Sequence, residues 1–157
     1  MSHKEIERKF LVVNDAFKAA SFKREKIVQG FLSSVPERTV RIRITGDAGF
    51  ITVKGLGNAS GTTRFEWEKE ISTADAERLL SICEPGKIEK LRYFVKAGGH
   101  VFEIDDFTGE NQGLVVAEIE LSDESETFIR PDWLGDEVTG QVKYYNAALS
   151  RNPYSNW

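Results

Sequence analysis

Glu5-Ile6-Glu7-Arg8-Lys9-Phe10-Leu11-Val12 sorts its side chains by parity: Glu5, Glu7 and Lys9 are odd, while Ile6, Phe10 and Val12 are among the even positions. Successive side chains of a strand point to opposite faces, so this run predicts a strand with one charged and one apolar face. Seven further segments alternate or are rich in β-formers, at about 26–34, 38–45, 49–54, 64–71, 87–96, 100–107 and 115–121, besides the first at 4–12. Arg41 and Arg43 lie opposite Val40, Ile42 and Ile44, and Thr52 and Lys54 opposite Ile51 and Val53. Arg64, Glu66 and Glu68 oppose Phe65 and Trp67, and Lys90 and Arg92 oppose Leu91, Tyr93 and Val95. Glu103 and Asp105 oppose Phe102 and Ile104; Glu118 and Glu120 oppose Ala117, Ile119 and Leu121. A half-exposed sheet usually mixes Thr, Ser, Gln and Asn into its polar face. Here strand after strand contributes a matched set of ions.

Two readings compete. As a solvated outer face, the charges form ion pairs worth about 0–1 kcal/mol each. As the inside of a closed sheet, they line a cavity just large enough for packed side chains or one small ligand. Burial demands compensation, because an unpaired interior ion costs several kcal/mol. The two signs nearly balance: Glu5, Glu7, Glu66, Glu68, Glu103, Asp105, Glu118 and Glu120 against Lys9, Arg41, Arg43, Lys54, Arg64, Lys90 and Arg92. The second reading predicts a mainly β chain with flanking helices (α+β), an eight-stranded antiparallel β-barrel tunnel with a charged interior and helices packed outside.

Three helices are expected: after Asn14, through Asp15–Ala20; after Ser72-Thr73, burying Ala76, Leu79, Leu80 and Cys83 and stopping at Pro85-Gly86; and over about 139–150, carrying Val142, Tyr145, Ala148 and Leu149 on one side. The Gly-rich 55–61 stretch reads as a hairpin loop, without the Lys-Ser/Thr pair and helix of a nucleotide P-loop.

The 157 residues, 29% charged, suit a single domain over 1–157. No run approaches the roughly 18 apolar residues of a membrane span, and the charged start lacks the apolar core of a secretion signal, so the chain reads as cytoplasmic with no membrane partner. A net charge of −4 argues against nucleic acid as a partner. The lone Cys83 excludes a disulfide framework, and with only His3 and His100 beside it a zinc site is disfavoured. Both histidines, and Glu124 and Glu126, are expected on solvated surface, and Trp67 and Trp133 in an apolar layer beneath helices. Trp157 ends a polar tail that reads as loose or engaged in a dimer contact.

Mixed arginines, lysines and carboxylates suit a polyanion held with hard cations. Arginine offers a forked donor to phosphate oxygens, lysine a compact charge, and carboxylates collect Mg²⁺ or Mn²⁺. This points to phosphoryl transfer from a chain of phosphates, in which positioning and charge neutralisation carry the reaction.

The ordered set Glu5-x-Glu7-x-Lys9, Arg41-Ile42-Arg43, Lys54, Arg64-Phe65-Glu66-Trp67-Glu68, Lys90-Leu91-Arg92, Glu103-Ile104-Asp105 and Glu118-Ile119-Glu120 resembles the CYTH superfamily, the triphosphate tunnel metalloenzymes, across nearly the whole chain. The 131–149 region is similar to the short bacterial branch. The resemblance implies a tunnel that hydrolyses inorganic triphosphate with Mg²⁺ or Mn²⁺. It implies metal held by Glu5, Glu7, Glu118 and Glu120, with Glu66, Glu68 or Asp105 helping through waters. It implies phosphates gripped by Arg41, Arg43, Lys54, Arg64, Lys90 and Arg92, and Lys9 and Lys54 as candidates for protonating or neutralising the leaving phosphate. It leaves open adenylate cyclase, nucleoside or thiamine triphosphatase, or a non-catalytic polyphosphate-binding module, and by analogy allows a homodimer. The family often has Gln-Gly-Tyr where this chain has Gln29-Gly30-Phe31, so a hydroxyl is missing from that strand. The segment after Thr139 resembles the plug that closes one tunnel end in some members, which would bring Lys143 and its neighbouring tyrosines towards the substrate.

Overall fold

The structure, a computed structural model, describes residues 4–157, with only the backbone of Lys4; the expectation for His3 lies outside the described residues. Among these, nine antiparallel strands form one sheet: β1 (Lys4–Val12), β2 (Lys23–Ser33), β3 (Arg38–Thr45), β4 (Ala48–Gly55), β5 (Thr63–Ile71), β6 (Ile88–Ala97), β7 (His100–Phe107), β8 (Val115–Glu120) and β9 (Leu134–Glu137). The order β5-β4-β3-β2-β6-β7-β8-β1-β9, with β5 also paired to β1, closes the first eight strands into the expected barrel.

The closing seam is short. Lys4, Glu5 and Ile6 pair with Phe65, Arg64 and Thr63, and beyond them β5 and β1 part. The open stretch of β1 is taken by β9, through Phe10–Glu137 and Val12–Leu134. An unpaired edge is a template for aggregation, and β9 covers this one, leaving in its place only a four-residue edge strand. Four residues without alternation carry no strand signal of their own, so β9 was not among the expected segments.

The apolar positions, even-numbered in β1 and β7 and odd-numbered in β6 and β8, point outward, as parity predicts. Phe10, Tyr93, Phe102, Ile104 and Ile119 form a buried cluster there with Trp133 and with Phe17 of α1 (Ala16–Ala20). Edge-to-face pairs Phe17–Tyr93 and Phe102–Trp133, both at 5.3 Å between centroids, lock this layer. Asn14 precedes α1 and accepts from the Ala16 N–H through its Oδ1, 2.9 Å away. α2 (Thr73–Ser81) starts on Ser72, whose Oγ accepts from the Asp75 N–H, and lies over β2, β3 and β4. It can approach because Gly30 and Gly49 face it: a Cβ would stand 3.1 Å from Cys83 Cβ at the first and 2.8 Å from Ala76 Cβ at the second. Only Ala76 of that helix is fully buried; Leu79 and Leu80 are half-buried, and Cys83 lies just past the helix end. Because α2 misses β5, Trp67 stands 39% exposed on the barrel's outer wall, uncovered where Trp133 is covered.

The expected helix over 139–150 is replaced by three pieces: a 3₁₀ turn at Val142–Tyr144, an extended Tyr145, and a short α3 (Asn146–Arg151). Val142 is exposed, while Tyr144 and Leu149 seal the barrel end against Phe31, Ile88, Phe107 and Leu114. The break at Tyr145 lets its ring enter the barrel mouth, which a continuous helix would forbid. Lys143 turns away, its Nζ 4.6 Å from the Trp157 ring centroid, and Trp157 is itself folded onto Tyr144 and Tyr154.

The β4–β5 loop is the expected hairpin, and it is held from outside. Glu124 accepts from Thr62 Oγ1 at 2.6 Å, Thr63 Oγ1 at 3.1 Å, Ser60 Oγ at 3.2 Å and Asn58 Nδ2 at 3.2 Å. Its turn is exposed as expected but tethered rather than free, and Glu126 is likewise bound to Ser122 and to His100 Nε2. Glu124→Ala strips one acceptor from four donors. Amide exchange over 57–63 is expected to accelerate about tenfold, with the melting temperature nearly unchanged; unchanged exchange would refute the tether.

Candidate active site

Interior positions of the eight strands enclose a cavity of about 620 Å³, within the range of small-ligand sites. Of the residues singled out from sequence, Glu5, Glu7, Lys9, Arg41, Arg43, Lys54, Arg64, Glu66, Glu68, Arg92, Glu118 and Glu120 line it, as does Glu103. Lys90 and Asp105 do not. Phe31 also reaches it, offering only a ring. Tyr145, Asn146, Ala147 and Arg151 bound one end of the cavity.

The pairing order sorts the ions into sectors. β7, β8, β1 and β5 are consecutive around the barrel and bring Glu103, Glu118, Glu120, Glu5, Glu7 and Glu66 together. β6, β2, β3 and β4 follow, with Arg92, Arg41, Arg43 and Lys54. Lys9 and Arg64 reach in from the acidic sector. Chain order alone does not show this division.

Bridges stitch the sectors. Lys54 Nζ lies 2.9 Å from Glu5 Oε1 and 3.3 Å from Glu66 Oε2, and Arg64 Nε 3.7 Å from Glu5. Lys9 Nζ is 3.6 Å from Glu118 Oε1, donates to the Tyr144 carbonyl at 3.4 Å and sits 5.2 Å from the Tyr145 ring centroid. Arg41 reaches Glu68 through Thr52: Nη2 donates to Thr52 Oγ1 at 3.2 Å, and that hydroxyl donates to Glu68 Oε1 at 2.7 Å. Thr52 is fully buried, and its part in this relay has no sequence signature beyond a place on the charged face.

Behind the cavity wall, Asp105 accepts Arg92 Nε on Oδ1 at 2.7 Å and Nη2 on Oδ2 at 2.9 Å. Lys90 Nζ lies 2.7 Å from Oδ2 and donates to Asn146 Oδ1 at 3.0 Å. Burial pushes Asp105 up, but Arg92 and Lys90 outweigh it and hold the carboxyl at about 2. Both its oxygens are occupied by cations, so Asp105 serves as counter-ion to Arg92 and Lys90 rather than as a free donor to the cavity. Lys90, driven down to about 7 by burial, anchors the end of the barrel to α3.

The acidic sector carries more negative charge than its neighbours offset. Register sets Glu7 opposite Glu120 and Glu103 opposite Glu118, and like charges directly opposite destabilise a sheet. Burial and Glu118 push Glu7 up to about 8; burial and neighbouring acids also raise Glu103 and Glu120. Hard oxygen donors under mutual repulsion fit a hard divalent cation. Among the described residues no three acids converge into a ready ligand cage, so an ion here would complete its shell with water and ligand oxygens, the habit of Mg²⁺.

Residues 3–150 match the family model of the CYTH domain. The chain is 46% identical to an inorganic triphosphatase of Acetivibrio thermocellus over 155 residues, covering 98% of this chain and 97% of that one. It is 36% identical to an inorganic triphosphatase of Nitrosomonas europaea over 150 residues, covering 93% and 96%. A crystal structure of an inorganic triphosphatase superposes with a TM-score of 0.67 at 33% identity, over 93% of each chain.

Proposed function

The chain belongs to the CYTH domain family, and from that premise we propose that it hydrolyses inorganic triphosphate to diphosphate and phosphate inside the barrel. The observation that carries this reading is the pair of facing sectors, acidic and basic, on one enclosed cavity. Its full-length relatives named inorganic triphosphatase support it.

Arg41, Arg43, Lys54, Arg64 and Arg92 grip the phosphate oxygens, their forked and point charges matched to a linear polyanion. Glu5, Glu7, Glu118 and Glu120 would hold a divalent ion, Mg²⁺ or Mn²⁺, with Glu66 and Glu68 assisting through water. Such an ion supplies charge neutralisation at phosphoryl oxygens and a more acidic bound water. Lys9, fixed by Glu118 and the Tyr144 carbonyl, directs its Nζ donors to the departing phosphate. Lys54 neutralises charge from β4, where it bridges Glu5 and Glu66. The Tyr145 ring lies 5.2 Å from Lys9 Nζ and 5.9 Å from the Arg64 guanidinium carbon, centroid to atom, at the cavity end.

Phosphate release from tripolyphosphate, ATP and thiamine triphosphate, with cyclic AMP formation alongside, tests this. Tripolyphosphate is expected to lead by at least about tenfold in kcat/KM, and EDTA to reduce release to background. Equal use of ATP would make the chain a nucleoside triphosphatase, cyclic AMP a cyclase, and saturable binding without turnover a binding module.

A further inference from the structure

Of the arginines that line the tunnel from the strands, Arg43 alone makes no salt bridge among the described residues. Arg92 is forked on Asp105, Arg41 lies 3.6 Å from Glu68, and Arg64 lies 3.7 Å from Glu5. Arg43 instead donates from Nε to the side-chain carbonyl of Gln29 at 3.2 Å. Burial, Arg41 and Arg92 push its guanidinium down to about 9, so it remains a cation at neutral pH, crowded by like charge.

Gln29 is fully buried, facing Arg43 across the β2–β3 pair, with Arg41 one step along the same face opposite Phe31. The Arg43 Nε–H can only donate, so the amide oxygen must turn towards it and Nε2 must turn away. Nε2 then has no acceptor, and neither has the buried Nε of Arg41. Buried donors are seldom left unpaired, and each orphan points to a missing acceptor. An uncompensated cation on the cavity wall, beside the idle donor of Arg41, lacks an anion with several acceptor oxygens.

We propose that Gln29 is a positioning residue of the phosphate grip: its neutral carboxamide, buried behind the cavity wall, orients Arg43 towards the bound triphosphate without cancelling the charge. This rests on the proposed function. Neutrality is the essential property. A carboxylate would hold Arg43 in the same place while spending its charge, making it a duplicate of the Arg92–Asp105 pair.

Gln29→Glu separates this role from a merely structural one. It is isosteric and still accepts from Arg43, so a residue needed only for packing tolerates it. Here it is expected to raise the KM for tripolyphosphate, and the calorimetric Kd for tripolyphosphate measured with Mg²⁺ and a slowly turned-over Lys9→Ala background, by about tenfold or more. Gln29→Met keeps length but removes acceptor and donor. It should raise KM several-fold with a melting temperature near wild type, and it decides the matter should the Glu variant not fold. Wild-type KM and Kd in the folded Glu variant, or wild-type KM in the Met variant, overturns the inference alone. A wild-type protein that neither binds nor hydrolyses tripolyphosphate overturns the functional reading and this inference with it.

Discussion

Glu118→Gln is expected to lower tripolyphosphate hydrolysis by about 10³-fold or more, while circular dichroism and melting temperature stay near wild type. Glu118 sits at the meeting point of the acidic sector, paired across the sheet with Lys9 of β1 and Glu103 of β7. Burial works against its charge, yet Lys9, Arg92 and a hydrogen bond from Glu7 hold its carboxyl well below the ordinary range. It is therefore the acid of this group most firmly kept as an anion, and the one best able to bind a hard cation at neutral pH. Glutamine keeps the shape and one acceptor oxygen, but loses the charge and the second acceptor. The magnitude follows from charge neutralisation at phosphoryl oxygens, for which single groups contribute on the order of 10²–10³ and a lost ion more. Mn²⁺ binding followed by calorimetry should weaken in parallel. A variant with wild-type turnover and wild-type Mn²⁺ affinity would reject the metal role of the β8 acids.

Asp105→Asn should act on stability instead. Its carboxylate faces Arg92 and Lys90 in a fully buried cluster, with both oxygens engaged. Removing one member of a buried ion cluster typically costs about 3–5 kcal/mol, because the partners remain interred without compensation. Lys90 can relieve this by shedding its proton, but Arg92 cannot. For a chain of this size the loss corresponds to a melting temperature lower by about 10 °C. Mn²⁺ affinity per folded molecule should change far less than in Glu118→Gln. A melting curve within about 2 °C of wild type would show that Asp105 is not the counter-ion described above.

The contrast between these acids shows how far the sequence carries. Glu103-Ile104-Asp105 and Glu118-Ile119-Glu120 look alike as strings, and parity puts all four acids on one face. Parity cannot say that Asp105 backs onto Lys90 and Arg92 while Glu118 faces the cavity, since that depends on the depth at which each strand enters the barrel. Gln29 is silent in the sequence for a related reason: β2 is the strand whose inner face lacks the ionic pattern, and a neutral amide gains meaning only from Arg43 beside it, which makes no salt bridge among the described residues. The C-terminal helix was expected to be longer than it is because Val142, Tyr145, Ala148 and Leu149 fit a helical spacing. The cations Lys9 and Arg64 draw Tyr145 inward and break it.

What this chain's sequence determines by itself is which side chains share a surface, because strand geometry repeats every two residues whatever the surroundings. The strands, their polarity and the near-balance of ions all follow from that local rule. Only the tertiary structure decides that the ionic surface turns inward, that β9 completes the seam β5 leaves open, and that acids and bases gather on opposite walls. Those outcomes depend on pairing between residues far apart in the chain, where burial turns weak surface charges into interactions strong enough to choose their partners.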